Sequence, residues 1–385
     1  MKNKILISLW LFCFLFFLFP FVASPQPGGQ IRLDKGTITP DKLRWINIGG
    51  GVRSSFTSVE DASPSGSDTD KTFEVENMRF YVNALVASNI EFEFNTERDA
   101  TGGGTDVRIL DAVGKFRFTD LFQVWGGRFL PPSDRSNLNG PYFLNIWDFP
   151  FVQAYPAIFA GRDNGVSLWG ITANKRFKYQ IGAFEGTNAS TSTGATTPNQ
   201  EDNLLYAGRV TYNFWDPEPA IYYNQSSYYG DIDVLAIGFA GMVQNDGAGT
   251  ATAQGDYGAW NVDFLMEKKL LNKGVVTLEG AYYDYDLDGR GSVDARGLVE
   301  GDSWFALASY MFPHKWGWGK LQPVFRYQEL DRQVGTEHDR YDIGVNYIIA
   351  GHNARISAIY SKDDDPSLGI NNVDRFKLGL QLQLF

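Results

Sequence analysis

Three arginines border or occupy one long stretch that has no regular periodicity. Arg128 comes just before a double proline, Arg135 follows shortly after it, and Arg162 stands near the end of the stretch 126–170. Between them the sequence shows neither the 3.6-residue period of a helix nor the two-residue period of a strand. Basic side chains around a water-filled passage favour anions, because they offset the cost of removing water from an anion. These residue types therefore predict the constriction of a pore.

The same stretch is rich in Phe, Tyr and Trp. An insert of this length without secondary structure is rare in a compact domain and is usually functional. Because so apolar a loop would not stay in water, we expect it to fold onto a wall, and its surroundings predict the inside of a wide β-barrel. Its aromatic side chains should pack on the inner wall, and its polar side chains should line the opening.

The chain divides into three predicted parts. Residues 1–23 combine basic Lys2 and Lys4 with a Phe-rich apolar run and small residues at the end, which indicates a signal peptide. An uncleaved membrane anchor is the alternative. Residues 24–44 form a short periplasmic lead-in, and residues 45–385 form the barrel domain. The single cysteine, Cys13, lies in the first part, so the exported protein does not rely on disulfides.

Sixteen segments between Trp45 and Phe385 have the composition and alternation of strands. Their connections are alternately short and long, as in outer-membrane barrels with short periplasmic turns and long external loops. The predicted fold is all-β: a transmembrane antiparallel β-barrel of about 16 strands, with a long constriction loop folded into the lumen. The connection 216–232 is long where a short one is expected, so an eighteen-stranded barrel is the alternative.

Alternation also assigns charged side chains to the inner face of the barrel. Eleven of them are basic and eight are acidic, although the whole chain carries a net charge of −11. We expect Arg79, Lys115 and Arg117 on the wall beside the three arginines of the constriction. The alternative is that the inner charges pair as salt bridges that hold strands together and select nothing. The basic set is Arg79, Lys115, Arg117, Arg128, Lys178, Arg209, Arg326, Arg340, Arg355, Arg375 and Lys377. The acidic set is Glu91, Glu93, Glu97, Asp111, Asp263, Glu267, Glu279 and Asp342.

Two other patterns could carry chemistry. Asp284, Asp286 and Asp288 match the first half of a calcium-binding loop, but the twelfth position is Ala295 where a bidentate Glu is needed. A solvated acidic loop is the favoured interpretation, and weak divalent binding that bridges to lipopolysaccharide phosphates is the alternative. The three histidines lie at strand ends or turns, without a serine at a recognisable spacing, so no enzyme is predicted.

Five short segments resemble one known family. They are Gly127–Arg135, Ala160–Val166, Asn77–Tyr81, Phe94–Glu97 and Trp45–Gly49. Together they are similar to the phosphate-selective porin O/P-like family of outer-membrane porins, over nearly the whole of residues 43–385. The resemblance implies homotrimers of sixteen-stranded barrels whose basic residues conduct anions through the constriction. It also implies that Arg128 and Arg162 flank the constriction loop, with Arg135 inside it.

We predict from these observations a porin of the Gram-negative outer membrane that lets small hydrophilic solutes diffuse passively, with a mild preference for anions. The expected partners are those solutes or inorganic anions, outer-membrane lipid and lipopolysaccharide. No cofactor and no nucleic-acid partner are expected. The alternative is a phosphate- or polyphosphate-selective anion channel, and a non-conducting structural barrel is less favoured. The general porin ranks first because the external loops are acidic and the insert is poor in lysine.

Overall fold

A computed structural model describes residues 30–31, 45–98, 106–151, 161–187, 197–219, 224–290, 300–365 and 370–384 of the chain. The predicted signal peptide, most of the predicted lead-in and the C-terminal Phe385 lie outside these residues. Within them, no helix has both the length and the apolar character needed to cross a membrane.

Sixteen long strands, numbered β1 to β16, make up the described structure, and two further strands have only two residues each. The short ones, Gln30–Ile31 and Lys315–Trp316, pair with the edges of β1 and β13. The long strands are β1 Ile46–Val59, β2 Asp70–Ala87, β3 Ile90–Arg98, β4 Val107–Arg117, β5 Gln123–Phe129, β6 Asp163–Ile171, β7 Phe177–Phe184, β8 Leu205–Asn213, β9 Val234–Thr250, β10 Ala253–Lys269, β11 Val275–Asp286, β12 Gly301–Met311, β13 Gly319–Arg332, β14 His338–Ile348, β15 Ala354–Asp365 and β16 Ile370–Leu384.

Each long strand pairs antiparallel with its neighbours in sequence, and the last strand closes the sheet on the first. In that closing pair Arg375 lies opposite Val59, and Leu384 lies opposite Gly50. Closure leaves no strand with an unpaired edge, which a bilayer would penalise. The prediction of a sixteen-stranded barrel is confirmed, and the described part of the connection 216–232 holds no additional hairpin. Between β9 and β10 only the tight turn 251–252 remains outside the strands.

The two-residue alternation separates an apolar outer face from a polar inner face, as predicted. On β16, Leu380, Leu382 and Leu384 are exposed on the outer surface, whereas Gln381 and Gln383 are buried inside. The same pattern runs through β14, where Arg340 is buried and Ile343 is 53% exposed. A strand with lipid on one side and polar side chains on the other requires this period.

The described part of the long connection between β5 and β6, residues 130–151 and 161–162, folds into the barrel and is called the long insert below. Residues 129–147 are buried without a break. The insert contacts inner side chains of distant strands: Asn145 bonds to Ser309 of β12 at 3.1 Å and accepts from Asn346 of β14 at 2.7 Å. Since these strands lie on the far side of the ring from β5 and β6, the long insert crosses the lumen.

Two contacts show how much of the barrel height the long insert spans. At one end Phe151 stacks on His338, at the start of β14, with ring centroids 3.9 Å apart. At the other end Phe143 packs edge-on against His352, in the short turn between β14 and β15, at 5.3 Å. The insert therefore descends from the long-loop end nearly to the short-turn end and returns.

Two apolar clusters explain why an aromatic insert is stable in a barrel with a polar interior. Phe129, Leu130 and Leu138 pack in one cluster with buried Trp125 and Trp169 of the wall. The second cluster holds Ile146 and Trp147 of the insert together with inner side chains of β11 to β15. Burying apolar surface at both places stabilises the insert inside the lumen.

Candidate functional site

A short helix, Arg135–Asn139, begins the part of the long insert that lies in the lumen. Asp134 caps it, because its carboxylate accepts a hydrogen bond from the backbone N–H of Ser136 at 3.0 Å. Gly140 ends it with φ of 69°, a backbone conformation that suits glycine. The two caps fix where the helix begins and ends, and they therefore hold Arg135 at a defined position beside the inner wall.

Arg135 forms a buried, two-pronged ion pair with Glu218, which lies in the connection between β8 and β9. Nη1 and Nη2 donate to Oε1 and Oε2 at 2.6 and 2.9 Å. Burial opposes ionisation of the Glu218 carboxyl, but the charge and hydrogen bonds of Arg135 outweigh it, so the pKa of Glu218 falls below its ordinary value. Burial also opposes the charge of the Arg135 guanidinium, but Glu218 outweighs this effect and raises the pKa of Arg135. Both groups are therefore charged.

A second ion pair lies beside the first. Arg209 of β8 binds Asp263 of β10 through both carboxylate oxygens, at 2.6 and 2.8 Å. Asp263 also accepts the backbone N–H of Arg135 at 3.2 Å, and the Arg209 guanidinium donates to the carbonyl of Ser133 at 2.8 Å. The pair thus holds the start of the helix against the wall.

Asp134 differs from Glu218, because its pKa is raised rather than lowered. The Tyr283 hydroxyl donates to it at 2.8 Å. Burial is the main reason that the pKa of Asp134 rises to about 7, and the nearby Asp263 charge adds to the shift. Asp134 is therefore about half protonated near neutral pH.

The far arm of the long insert rests on arginines that donate to its backbone. Arg355 of β15 donates to the carbonyl of Leu144 at 2.6 Å, and Arg326 of β13 donates to that of Asp148 at 2.8 Å. Arg53 of β1 donates to the carbonyl of Trp147. Within the described residues, the other hydrogen bonds of Arg53 and Arg355 also go to neutral groups, which include the side-chain amides of Asn77 and Gln381.

Trp147 anchors this arm. It is 1% exposed, the Arg53 guanidinium lies 4.0 Å from its ring centroid, and its indole N–H donates to Glu76 at 2.7 Å. The ring also covers Gly379, where an added Cβ would come within 2.5 Å of it. Asp148 follows and pairs with Lys377 at 2.8 Å. Burial opposes ionisation of Asp148, but Lys377 more than offsets it, and the pKa of Asp148 lies below its ordinary value.

Four of the six predicted constriction residues lie in ion pairs, in which the three arginines are buried and Lys115 is partly buried. Arg135 pairs with Glu218, as described. Arg162 pairs with Asp111 at 3.2 Å, at the point where the long insert returns to the wall. Arg79 pairs with Glu97 and lies 5.5 Å from the ring of Tyr142. Lys115 pairs with Glu93 and lies 4.1 Å from the ring of Trp125.

The other two lie elsewhere. Arg117 is exposed at the short-turn end of β4, where it pairs with Asp120, so it is not beside the long insert. Arg128 is half-buried and falls between the buried positions Trp125 and Phe129 of β5, opposite Asn164. The predicted inward orientation of Arg128 is wrong, because alternation from Trp125 and Phe129 puts it on the other face. The role of all six at a constriction stays a prediction.

Part of the connection between β8 and β9 also enters the barrel, namely residue 218 and residues 224–230, called the turn-side segment below. Its described residues Glu218, Ser226 and Ser227 are at most 1% exposed. Sequence reasoning noted only its unusual length. It missed Glu218 and the acidity that both connections bring into the lumen, because no periodic pattern assigns loop residues to a face. It also missed Arg53, which lies on β1 at a point where the pairing with β2 shifts register.

The acidic loop that begins at Asp284 and the histidines offer no second candidate site among the residues that the structure describes. Among the described residues, no group of three or more His, Cys, Asp or Glu side chains could hold a metal ion, and Asp284, Asp286 and Asp288 form no such group. The divalent-cation alternative stays a prediction. His352 is buried, which lowers its pKa to about 3, and it bonds to the carbonyl of Ser227 rather than to its hydroxyl.

Neither protein-family models nor curated proteins match this chain. Solved structures do match. OmpF of Salmonella typhi in complex with daunomycin has 10% sequence identity and a TM-score of 0.58, over 88% of this chain and 98% of OmpF. The outer membrane channel DcaP of Acinetobacter baumannii has 12% identity and a TM-score of 0.57, over 88% and 97%. OmpT of Vibrio cholerae has 15% identity and a TM-score of 0.55, over 88% and 97%. At these identities the likeness shows the fold, and this chain has the fold of an outer-membrane β-barrel.

Proposed function

We propose that this protein is an outer-membrane porin through which small hydrophilic solutes diffuse passively, with a mild preference for anions. The observation that carries the proposal is a polar-lined, closed ring of sixteen strands with a long insert held inside it. Sixteen strands enclose an aqueous channel rather than a packed core. The insert and the wall contacts that hold it narrow this channel, so the solutes that pass are small.

The anion preference rests on Arg53 and Arg355. Both are buried on the inner wall, and both donate to carbonyl or amide oxygens instead of carboxylates. Their charges are therefore less completely neutralised than those of Arg135 or Arg162. The preference is mild because most of the other inner cations are paired, which supports the salt-bridge alternative for that part of the wall, and because the inserts add Asp134, Asp148 and Glu218 to the lumen.

Conductance of the purified protein in a planar bilayer tests this function. We expect discrete channels, and in a salt gradient a reversal potential on the anion side of zero. Arg53→Gln and Arg355→Gln should each move that potential toward cation selectivity. Lys71→Gln, the same charge change at an exposed residue of β2, is the matched control and should leave it nearly unchanged. Absence of channels would refute the porin, and cation selectivity of the unaltered protein would refute the anion preference.

A phosphate- or polyphosphate-selective channel is the second candidate. One observation favours it: Nε of Arg53, Nε of Arg355 and Nη2 of Arg326 have no hydrogen-bond partner in the described structure. Phosphate oxygens accept such guanidinium donors readily. Block of the chloride current by added phosphate, lost in Arg355→Gln, would support this candidate over the general porin.

The remaining parts of the proposal concern assembly and location. We propose that the exported chain resides in the outer membrane in contact with lipid and lipopolysaccharide, and that it assembles as a homotrimer. The apolar outer face supports the membrane location. Native mass spectrometry in detergent, or cross-linking in outer-membrane fractions, would measure the number of chains per assembly.

A further inference from the structure

Two segments enter the barrel from opposite ends and meet inside it. The long insert comes from the long-loop end, and the turn-side segment comes from the end that carries the short turns 172–176 and 270–274. Their contacts among the described residues include the following. Arg135 binds Glu218, the Asn139 amide donates to the Ser226 hydroxyl at 2.9 Å, and the Ser226 backbone N–H donates to the carbonyl of Phe143 at 3.0 Å.

The turn-side segment is also hydrogen-bonded to the inner wall of the barrel. Glu267 of β10 accepts the Ser227 hydroxyl at 2.7 Å and the backbone N–H groups of Tyr228 and Gly230 at 3.1 and 2.8 Å. His352 packs against Tyr229 with ring centroids 4.8 Å apart and bonds to the carbonyl of Ser227 at 2.8 Å. Charged hydrogen bonds of this kind are individually strong when buried. The segment is therefore a built part of the lumen rather than a loose turn.

We propose that the turn-side segment is a second constriction element, and that the Arg135–Glu218 pair, where it meets the long insert, determines the charge selectivity of the passage. This inference rests on the proposed porin function. Glu218 is the acid that the segment places against the long insert, within the field of Arg135 and Lys178. Its loss removes one negative charge from this cluster, so the net charge of the cluster becomes more positive.

The size of the effect follows from Coulomb's law. A unit charge about 5 Å from a permeating ion in water changes the local concentration of that ion about fourfold. Glu218→Gln should therefore raise the anion-to-cation permeability ratio by about fourfold or more. Arg135→Gln should lower it by a similar factor, although both variants break the same ion pair. Opposite shifts identify charge, since simple loosening of the contact would move both variants in one direction.

Two further variants complete the experiment. Glu218→Asp keeps the charge and should keep the permeability ratio of the unaltered protein. Asp120→Asn makes the same charge change as Glu218→Gln, but at an exposed ion pair in a turn that touches neither insert, so it should have little effect. Each variant is checked for folding by its urea-unfolding midpoint before its reversal potential is measured in a potassium chloride gradient.

The outcomes separate this inference from the porin function. Opposite shifts for Glu218→Gln and Arg135→Gln, with Glu218→Asp and Asp120→Asn unchanged, support the second constriction. Conducting channels whose selectivity ignores both charge-removing variants, or follows Asp120→Asn equally, overturn it and leave the porin standing. Absence of channels in the unaltered protein and in every variant overturns the porin function, and this inference with it.

Discussion

Asp134→Asn should change how the stability of the barrel depends on pH. Asp134 is fully buried, caps the insert helix and accepts the Tyr283 hydroxyl at 2.8 Å. Asparagine keeps the shape and an oxygen acceptor for both Tyr283 and Ser136, but it carries no charge. The substitution therefore isolates the cost of ionising a carboxyl inside the lumen.

The sign follows from the direction of the shift. The pKa of Asp134 is raised from 3.8 to about 7 in the folded protein, mainly by burial. Its protonated form thus contributes stability that is complete below about pH 4 and is lost as pH rises through about 7. This difference in pKa between the unfolded and folded states corresponds to at most about 4 kcal/mol of stability. Relative to the unaltered protein, Asp134→Asn should gain stability between pH 5 and pH 8, by about 1 to 4 kcal/mol.

The assay is urea unfolding of the protein in lipid or detergent, at several pH values from 5 to 8. The free energy of unfolding comes from the midpoint and the slope of each curve. Only the difference between variant and unaltered protein matters, because other carboxylates shift both curves alike.

Asp148→Asn is the matched control on the same insert. Its pKa is lowered in the folded protein, so its stabilising charge is fully present above about pH 4. Removing it should cost about 1 to 3 kcal/mol at every pH from 5 to 8. A difference curve for Asp134→Asn that is as flat as that of Asp148→Asn would refute the reasoning about Asp134.

Two further variants test how the long insert is held. Arg162→Met should lower the free energy of unfolding by about 3 to 5 kcal/mol, because it leaves Asp111 buried without its guanidinium partner, and adding Asp111→Asn should recover part of that loss in urea unfolding. Gly379→Ala should cost about 1 to 3 kcal/mol by the same assay, because the added Cβ would lie 2.5 Å from the ring of Trp147. Gly126→Ala, where an added Cβ meets nothing within 4 Å, is its control and should cost less than about 1 kcal/mol. An equal loss in both glycine variants would contradict the contact with Trp147.

The strands were predictable because a bilayer imposes a rhythm that every strand must obey. All sixteen strands, and the faces of β14 and β16, follow from the alternation of apolar and polar residues. Arg128 shows that this rule needs a known starting position. Counted from Trp125 and Phe129, whose side chains are buried, alternation puts Arg128 on the outer face. The sequence does not say which face those aromatic residues take, and a shift of one residue exchanges the two faces.

The candidate site was less predictable, because it consists of loop residues that meet over long distances in sequence. Arg135 was identified from its place in the insert, but its partner Glu218 lies 83 residues away in a connection without a pattern. Nothing in the residue types says whether a lumen arginine will meet a carboxylate, as Arg135 does, or a carbonyl, as Arg355 does. That choice depends on the path of the insert, which the sequence does not encode locally.

A polar wall alone cannot hold an insert, since charged and amide side chains can be hydrated about as well by lumen water. The long insert is therefore held in two ways. Leu138 and Trp147 bury apolar surface at two separate places, and between them the backbone is fixed by donors such as Arg355. An arginine that donates to carbonyls stays charged while it supports the chain, so one residue can position the insert and attract an anion. For this reason Arg53→Gln and Arg355→Gln should alter selectivity and stability together.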